Sequence, residues 1–172
     1  MPTVLITGAA SGIGRDTARL FASAGWQCVL VDLNGPALQA VGDSLPTSGG
    51  AAHLLRITDL TDTDQVASLR EGTPTLDAIV NNAGMSDTSN TPLVAQAPAQ
   101  MARLLALNLA APAAVVQACA PLLRPGARIV NVASGAGLRA IPWRGAYSPS
   151  KAGLIAQTQA LARARCAATA TC

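Results

Sequence analysis

Residues 3–14 read Thr-Val-Leu-Ile-Thr-Gly-Ala-Ala-Ser-Gly-Ile-Gly, a short apolar run followed at once by three spaced glycines. Apolar residues at helical spacing continue to Ala24, and Gly25 then ends the pattern. This order predicts a strand, a tight turn and a helix, which together form the first βα unit of a parallel sheet. The glycines also let a diphosphate approach the N-terminus of the helix, where unpaired N–H groups and the helix dipole favour anions.

Strand and helix signals keep alternating after this unit. Further strands are predicted at residues 28–31, 52–57, 78–80 and 128–132. Helices are predicted at residues 34–45, 62–70 and 98–123, the last with a kink at Pro112, and from Tyr147 onward. Strands that are apolar on both faces and alternate with helices predict a doubly wound α/β domain of the Rossmann type. We expect a single domain over residues 1–172, with strand order 3-2-1-4-5 and a ligand crevice at the carboxyl edge between strands 1 and 4.

The composition excludes several classes of protein. Half of the 172 residues are hydrophobic and 12% are charged, which is typical of a globular core and not of a disordered chain. The net charge of +3 comes from scattered arginines without a basic stripe, so nucleic acid is not an expected partner. No signal-peptide pattern follows Met1, and the longest apolar stretch, residues 104–120, is interrupted by polar residues and predicts a buried helix, not a membrane span.

The four cysteines, Cys28, Cys119, Cys166 and Cys172, form no CxxC pair and no cluster with His53, the only histidine. A disulfide framework or a metal site would need closer and more regular spacing. We therefore expect reduced thiols in a cytoplasmic protein, no metal, and a structural role for His53.

Asp32 ends the second predicted strand, at an offset from the glycine turn where a carboxylate can bind the adenosine ribose hydroxyls. A carboxylate at this point repels a 2′-phosphate, and neither Leu33 nor Ser11 offers a cation to one. The sequence thus predicts NAD rather than NADP as the cofactor, with Arg15 as the nearest group that would favour NADP. An exposed aspartate that simply ends a strand is the alternative.

Tyr147 and Lys151 are the only tyrosine and the only lysine, and they lie four residues apart at the start of the last predicted helix, hence on one face. An ammonium close to a phenol stabilises the phenolate and lowers the pKa of a tyrosine from about 10 toward neutrality. The pair therefore predicts a general acid/base for an alcohol or ketone. Ser134 follows the fifth strand at the same predicted edge, where its hydroxyl would bind the substrate oxygen.

These motifs, in this order, resemble the short-chain dehydrogenase/reductase family over residues 2 to about 162. The matching segments are residues 7–14, Asp59 with Leu60, residues 81–84, Asn108, and Ser134 with Tyr147 and Lys151. The resemblance implies an oxidoreductase that transfers a hydride between NAD(H) and a small-molecule secondary alcohol or ketone. In it, Tyr147 would remove the hydroxyl proton while the cofactor takes the hydride.

The resemblance also implies roles for individual residues. Asp59 would hold adenine, Asn81 would brace the sheet, and Asn108 would open its helix locally and hold a water that relays protons through Lys151. The implied catalytic residues are Asn108, Ser134, Tyr147 and Lys151. The implied cofactor-binding residues are Gly8, Ser11, Gly12, Ile13, Gly14, Asp32, Asp59, Leu60, Asn82, Ala83, Gly84, Tyr147 and Lys151. In this family the helices corresponding to those of Asn108 and Tyr147 commonly form a dimer interface, so a homo-oligomer is implied as well.

The C-terminal part departs from the family pattern. Family members continue with a sixth strand, a helical lid over the substrate and a seventh strand, whereas residues 163–172 are rich in Ala, Arg, Thr and Cys and predict no strand. We expect a C-terminally truncated domain whose fifth strand forms an open edge. The alternative to an active enzyme is a catalytically inactive NAD-binding fragment or interaction module.

No motif identifies the substrate, because the family's substrate determinants lie mostly in the lid. Candidate pocket residues are Met85, residues 86–90, Arg139, Trp143 and Arg144. For the last three, a solvated loop is an equally good interpretation.

Overall fold

The computed structural model describes residues 1–47, 51–87, 91–139 and 141–169, with side chains up to residue 164. These residues group into two compact units. The first comprises residues 1–84 and 114–132, and the second comprises residues 85–113 and the residues from 133 onward. All five strands belong to the first unit, whereas the second is built of helices and loops.

The sheet of the first unit is parallel throughout, with the order β3-β2-β1-β4-β5. Its strands are Thr3–Thr7 (β1), Gln27–Asp32 (β2), Leu54–Ile57 (β3), Leu76–Asn81 (β4) and Leu123–Asn131 (β5). The predicted fold class and strand order are therefore confirmed. The order follows from right-handed crossovers, which place each new strand on a predictable side of β1.

The helices are Gly12–Ser23 (α1), Gly35–Ser44 (α2), Thr63–Ser68 (α3), Pro98–Leu105 (α4), Ala111–Cys119 (α5) and Tyr147–Thr169 (α6). A π-helical turn, Ala106–Ala110, joins α4 to α5, and 3-10 turns occupy Leu93–Ala95, Ala120–Leu122 and Gly135–Gly137. The helix starts follow local chemistry: Asn34 caps α2 by accepting from the N–H of Ala37 at 3.1 Å, and Asp62 caps α3 in the same way.

The core of the first unit is aliphatic. Val4 and Ile6 of β1 and Leu30 of β2 are fully buried in one cluster that includes Ala18 of α1 and Leu38 of α2. The intervening strand residues, such as Leu5, Val29 and Ile79, are also fully buried. Both faces of the central strands are therefore removed from water, as the continuous apolar runs predicted.

The fifth strand starts earlier than predicted. It begins at Leu123, which pairs with Leu76, and the pairing then shifts so that Arg128 lies opposite Ala78. The residues between, with Gly126 at φ 80°, form an irregular insertion in the strand that looked like a plain turn in the sequence. In the described part of the chain β5 pairs with β4 alone, and Val130 is 51% exposed along it.

The long helical stretch after residue 97 is interrupted at Asn108 and not at Pro112. Pro112 still contributes, because it has no N–H to offer the carbonyl of Asn108 four residues earlier. With Pro98–Leu122 this stretch is 25 residues long and has a hydropathy of 1.6 in its most apolar window, so by length and composition it could cross a membrane, contrary to the sequence expectation. One third of that apolar window is buried, and Leu104 and Val115 are among the buried side chains of the stretch.

The last helix runs further than its composition suggested. We expected an atypical tail without a strand from residue 163, and α6 continues through the first part of that segment to Thr169. Alanine and arginine are among the strongest helix formers, which accounts for the extension. Residues 170–172 of the predicted tail lie outside the described residues.

Candidate functional site

The glycine turn between β1 and α1 leaves no space for side chains at two of its positions. A Cβ added to Gly14 would overlap the carbonyl oxygen of Gly8 and lie 2.5 Å from Nδ2 of Asn82. Gly8 has a φ of 67°, and a Cβ there would lie 2.8 Å from Cα of Ala83. The turn is therefore a bare backbone cradle in front of the helix, and only glycine fits at these two positions.

The outer side of the same turn is open. Ser11, Gly12 and Ile13 are exposed, Ile13 by 66%, and the hydroxyl of Ser11 makes no capping bond to α1. The first N–H groups of a helix have no partner within the helix. The cradle thus presents backbone donors, and a free hydroxyl, at a helix N-terminus where the dipole favours negative charge.

Asn82 and Thr7 hold this turn in place. Nδ2 of Asn82 donates to the carbonyl oxygens of Thr7 and Gly8 at 3.0 and 3.2 Å. In return, Oγ1 of Thr7 accepts from the N–H groups of Asn82 and Ala83, each at 3.1 Å. Sequence reasoning took Asn82 as a cofactor contact and overlooked Thr7, although both stand in the matched motifs.

Asp32 also supports the cradle. One carboxylate oxygen accepts from the N–H of Ala10 at 3.0 Å, and the other accepts from the N–H of Asn34 at 2.9 Å. Each carboxylate oxygen can accept a second hydrogen bond, so ribose hydroxyls can still be bound there. The carboxylate therefore has a bracing function that the sequence did not reveal.

The remaining predicted site residues of this unit differ in their exposure and contacts. Oδ1 of Asp59 accepts from the N–H and the hydroxyl of Thr61, while Leu60 is buried with 8% exposure. Ala83 is half-buried and Gly84 is exposed. Asn81 donates through Nδ2 to Oδ1 of Asn131 at 2.9 Å, across β4 and β5.

Tyr147 and Lys151 lie in the second unit, on the first turn and a half of α6. Tyr147 is half-buried, whereas Lys151 is only 5% exposed. Burial disfavours the ammonium and lowers the pKa of Lys151. The chain's only tyrosine and only lysine thus lie one turn apart on the same helix.

Ser134 begins the 3-10 turn Gly135–Gly137. Its Oγ accepts from the N–H of Ala136 at 3.2 Å, which leaves the hydroxyl proton available to another acceptor. The same turn packs directly on α6, because a Cβ added to Gly137 would lie 2.7 Å from the backbone carbon of Lys151. The loop of Ser134 and the turn of Tyr147 and Lys151 are thus fixed to each other.

Asn108 is fully buried in the π-helical turn, and its whole amide is engaged. Oδ1 accepts from the N–H of Met85 at 2.9 Å, and Nδ2 donates to the carbonyl of Met85 at 2.9 Å and to Oγ of Ser150 at 3.1 Å. Ser150 in turn donates to the carbonyl of Tyr147 at 2.7 Å. Sequence reasoning did not identify Ser150, and its position three residues after Tyr147 was the only available signal.

The residues predicted to line the substrate pocket differ in their contacts. Arg144 donates to Oγ of Ser86 and to the carbonyl of Asp87, both at 2.6 Å, and Trp143 is 57% exposed with a positive φ of 66°. Arg139 is exposed, and residues 88–90 of the predicted loop lie outside the described residues.

The predicted structural role of His53 is supported by its contacts: its ring nitrogens lie 3.1 Å from the N–H of Cys28 and 3.2 Å from the carbonyl of Pro46. Within the described ranges, no group of three or more His, Cys, Asp or Glu side chains could hold a metal ion.

Comparisons with known proteins point in one direction. The sequence matches the profile of the family described as short chain dehydrogenase over residues 2–167. It is 40% identical over 167 residues to an uncharacterized short-chain type dehydrogenase/reductase of Sinorhizobium fredii. The aligned region covers 92% of this chain and 29% of that protein. The chain thus spans less than a third of that relative's length.

Solved structures agree with the sequence comparison. A short chain dehydrogenase/reductase from Burkholderia phymatum in complex with NAD superposes with a TM-score of 0.85 at 32% identity, over 93% of this chain and 58% of that one. A metagenomic short-chain oxidoreductase in complex with NADP also gives 0.85, at 30% identity, over 94% of this chain and 75% of that one.

Proposed function

The chain belongs to the short-chain dehydrogenase family, and we propose that it transfers a hydride between NAD(H) and a small secondary alcohol or ketone. The observation that carries this proposal is the arrangement on α6, where the only tyrosine and a deeply buried lysine stand four residues apart. Ser134, in the loop that packs on the same turn, supplies a hydroxyl with a free proton.

The cofactor cradle in the first unit supports a dinucleotide. The turn is packed so closely that no Cβ fits at Gly14, while Ser11 and the first N–H groups of the helix lie on its open side, where a diphosphate could bind. NAD, when bound, would accept or supply the hydride. We propose NAD over NADP because the carboxylate of Asp32 repels a 2′-phosphate.

The choice of cofactor can be tested by thermal unfolding with each dinucleotide. NAD is expected to raise the Tm more than NADP at equal concentration, since only the state that binds is stabilised. Asp32→Ala should reduce this difference, although it also removes the bond to Ala10. A larger shift with NADP in the unaltered chain would contradict the proposal.

The chemistry assigned to the second unit is proton transfer. The phenol of Tyr147, as phenolate, would take the proton from the substrate hydroxyl, and Ser134 would donate a hydrogen bond to the same oxygen. Lys151 lies one helical turn further along α6, is buried there, and is proposed to orient this group.

Asn108 is proposed to position this group. Both of its amide hydrogens are used by Met85 and Ser150, so its side chain has no further proton to donate to a water. Instead, through Ser150 it fixes the carbonyl of Tyr147 and thereby the start of α6.

Replacing Tyr147 by Phe tests the proposed activity. We expect loss of NADH formation from secondary alcohols by about 100-fold or more, with nearly intact stabilisation by NAD, since the general base is removed and the cradle is not. Val94→Ala, at a side chain that is 97% exposed, serves as a matched surface control. Equal turnover in Tyr147→Phe and the control would refute the assignment, and NAD binding without turnover in the unaltered chain would favour the interaction module.

The remaining expectations are proposals of the same kind. The proposed partner is a small-molecule substrate, and nucleic acid is not an expected partner. A homo-oligomer through the helices of Asn108 and Tyr147 and a cytoplasmic location fit the family, and gel filtration checks the first of these.

A further inference from the structure

The backbone just before Tyr147 is anchored by the side chain of Arg144. Nη1 of this arginine donates to Oγ of Ser86 and to the backbone carbonyl of Asp87, both at 2.6 Å. Hydrogen bonds from a charged donor are stronger than neutral ones, and one nitrogen that serves two acceptors fixes the direction of the guanidinium. Arg144 therefore ties the loop in front of α6 to residues 86–87.

The backbone carbonyl of Arg144 belongs to the start of α6. It accepts from the N–H of Ser148 at 3.1 Å, a bond with the spacing of an α-helix, and the N–H of Ser150 binds the carbonyl of Ala146 in the same way. Tyr147 lies between these bonded residues, on the first turn of the helix. A displacement of Arg144 would therefore be passed to the backbone that carries the phenol.

The segment that receives the bonds of the arginine is itself anchored. Asp87 is 1% exposed, and its two carboxylate oxygens accept from Nε2 of Gln96 at 2.6 Å and from Nε2 of Gln100 at 3.0 Å. Removing a charge from water is costly unless hydrogen bonds replace the lost hydration, and both oxygens are bonded here. Because Gln100 belongs to α4, the carboxylate joins the segment of Asp87 to that helix.

Gly145 packs against the same support. A Cβ added to it would lie 2.6 Å from Oε1 of Gln96 and 2.8 Å from Cα of Leu93. Gln96 also binds Asp87, so Gly145 rests on the structure to which its neighbour Arg144 is tied. The close approach leaves this stretch of the loop little room to move.

Trp143, on the other side of Arg144, has a conformation that a bulky residue seldom adopts. Its φ of 66° is the single positive φ outside glycine in the part of the chain that the structure describes. The indole is 57% exposed, so burial of the ring does not compensate for this strain. Strained backbone persists only where the surrounding structure holds it, and it clusters at functional sites. The two hydrogen bonds of Arg144 supply such a restraint.

Tyr147 is connected to one short segment from both directions along the chain. On the C-terminal side, Asn108 reaches the carbonyl of Tyr147 through Ser150. The same amide binds the backbone of Met85. On the N-terminal side, Arg144 binds the two residues that follow Met85. One connection alone would leave the turn free to pivot, whereas two on opposite sides fix its direction.

We propose that Arg144 is a positioning residue of the reaction, which fixes the direction of the Tyr147 phenol toward the substrate hydroxyl. The inference rests on the proposed dehydrogenase function and adds a residue to the four implied catalytic ones. In this role Arg144 acts through the backbone of α6 and not by contact with the reacting atoms. Such control matters because a displacement of about 1 Å in a reacting group can reduce turnover by about 100-fold.

The orientation of Tyr147 can be measured without turnover, because it is the only tyrosine. A ring-fluorinated tyrosine incorporated into the chain gives one fluorine NMR signal, which we expect to be narrow in the parent chain. Arg144→Met should shift and broaden this signal, whereas Arg144→Lys, whose ammonium keeps donors for both acceptors, should restore it. Arg70→Met, the same change at an exposed arginine, is the matched control. An Arg144→Met signal identical to that of the control would overturn the proposal.

Kinetics distinguishes positioning from a merely structural role. Turnover is measured well below the Tm of each variant, so that every chain is folded. Arg144→Met should lower kcat by about tenfold or more while changing KM by about twofold or less, and NAD should still raise its Tm as in the parent chain. A structural role would lower the Tm and leave kcat per folded molecule unchanged, and that result would overturn the proposal.

Ser86→Ala is the second variant if Arg144→Met does not fold, because it removes one exposed acceptor and leaves the guanidinium in place. It should change the fluorine signal in the same way but less, and a signal identical to that of the parent chain would overturn the proposal. If the parent chain forms no NADH, the dehydrogenase proposal fails. The fluorine signal then still decides whether Arg144 fixes the direction of Tyr147.

Discussion

Lys151 is kept in place at a cost in stability. It is 5% exposed, and burial lowers its pKa, which means that the folded state disfavours its charge relative to the unfolded state. Methionine has a similar length and no charge. Lys151→Met should therefore raise the Tm near neutral pH while abolishing turnover, as expected when function and stability compete.

The difference in Tm between the parent chain and Lys151→Met should depend on pH, because the pKa of Lys151 is lowered in the folded state. Below the folded-state pKa of Lys151 both states carry the proton, so the full penalty for burying the charge is present. As pH rises from that pKa toward the ordinary value of 10.5, the folded state loses its proton first and the penalty disappears. Thermal unfolding of both proteins across this range should show the gap in Tm narrowing, and a gap that widens would contradict the explanation.

The glycine turn yields a second prediction at the scale of single residues. Gly14→Ala places a methyl group against the backbone carbonyl of Gly8, which cannot move without displacing the cradle. We expect loss of NAD-dependent stabilisation and a drop in unfolding free energy of about 1–3 kcal/mol. Gly135→Ala, where a Cβ meets nothing within 4 Å, is the matched control and should bind NAD normally.

Two serines on the first turn of α6 have opposite hydrogen-bonding states. Ser150 is fully buried and bonded to both Asn108 and the carbonyl of Tyr147, whereas Oγ of Ser148 has no partner among the described residues. Ser150→Ala leaves a buried donor of Asn108 unpaired and should cost about 1–3 kcal/mol, while Ser148→Ala should change stability by about 0.5 kcal/mol or less. Denaturant unfolding of both variants checks this, and equal losses would contradict it.

The elements that the sequence predicted well are those with a clean local signal. Thr3–Thr7 has the predicted bounds because β-branched residues and a glycine mark its ends. The start of β5 was missed because a proline and a glycine indicate a turn, and pairing of Leu123 with Leu76 depends on a neighbouring strand that local sequence does not contain.

The candidate site was predictable only where chemistry is carried by residue type. Tyr147 and Lys151 stand out because each is the only one of its kind. Ser150 does not, since its importance comes from Asn108, which lies 42 residues earlier in the chain. The hydrogen bonds by which Asp32 and Asn82 brace the turn could not be predicted for the same reason, because their partners are backbone groups that folding brings close.

At the scale of the whole molecule, the predicted roles divide between the two units. The predicted dinucleotide cradle and the residues that brace it belong to the unit that contains the sheet, and the proposed proton-transfer residues belong to the other. The order of the strands was predictable because handedness restricts how successive βα units join. This division also means that binding of the cofactor can be followed through the sheet unit alone.

Labelling of Cys28 and Cys119 can report cofactor binding to the sheet unit. Both are fully buried in the sheet unit, and burial raises the pKa of Cys28 to about 12 and of Cys119 to about 11. In a chain with Cys166→Ser and Cys172→Ser, we expect neither thiol to react with an aromatic disulfide reagent at about pH 8 until the unit opens. Both should react at once in guanidinium chloride.

Because the reaction then requires opening, its rate should fall in proportion to the population of the open state. NAD at about 100 times its dissociation constant should slow the labelling of both cysteines by about 100-fold. Gly14→Ala should label at a rate that NAD does not change, while Gly135→Ala should respond like the parent chain. Rapid labelling in the native state would contradict the burial of the thiols, and labelling of the parent chain that is slow but indifferent to NAD would contradict the cofactor site.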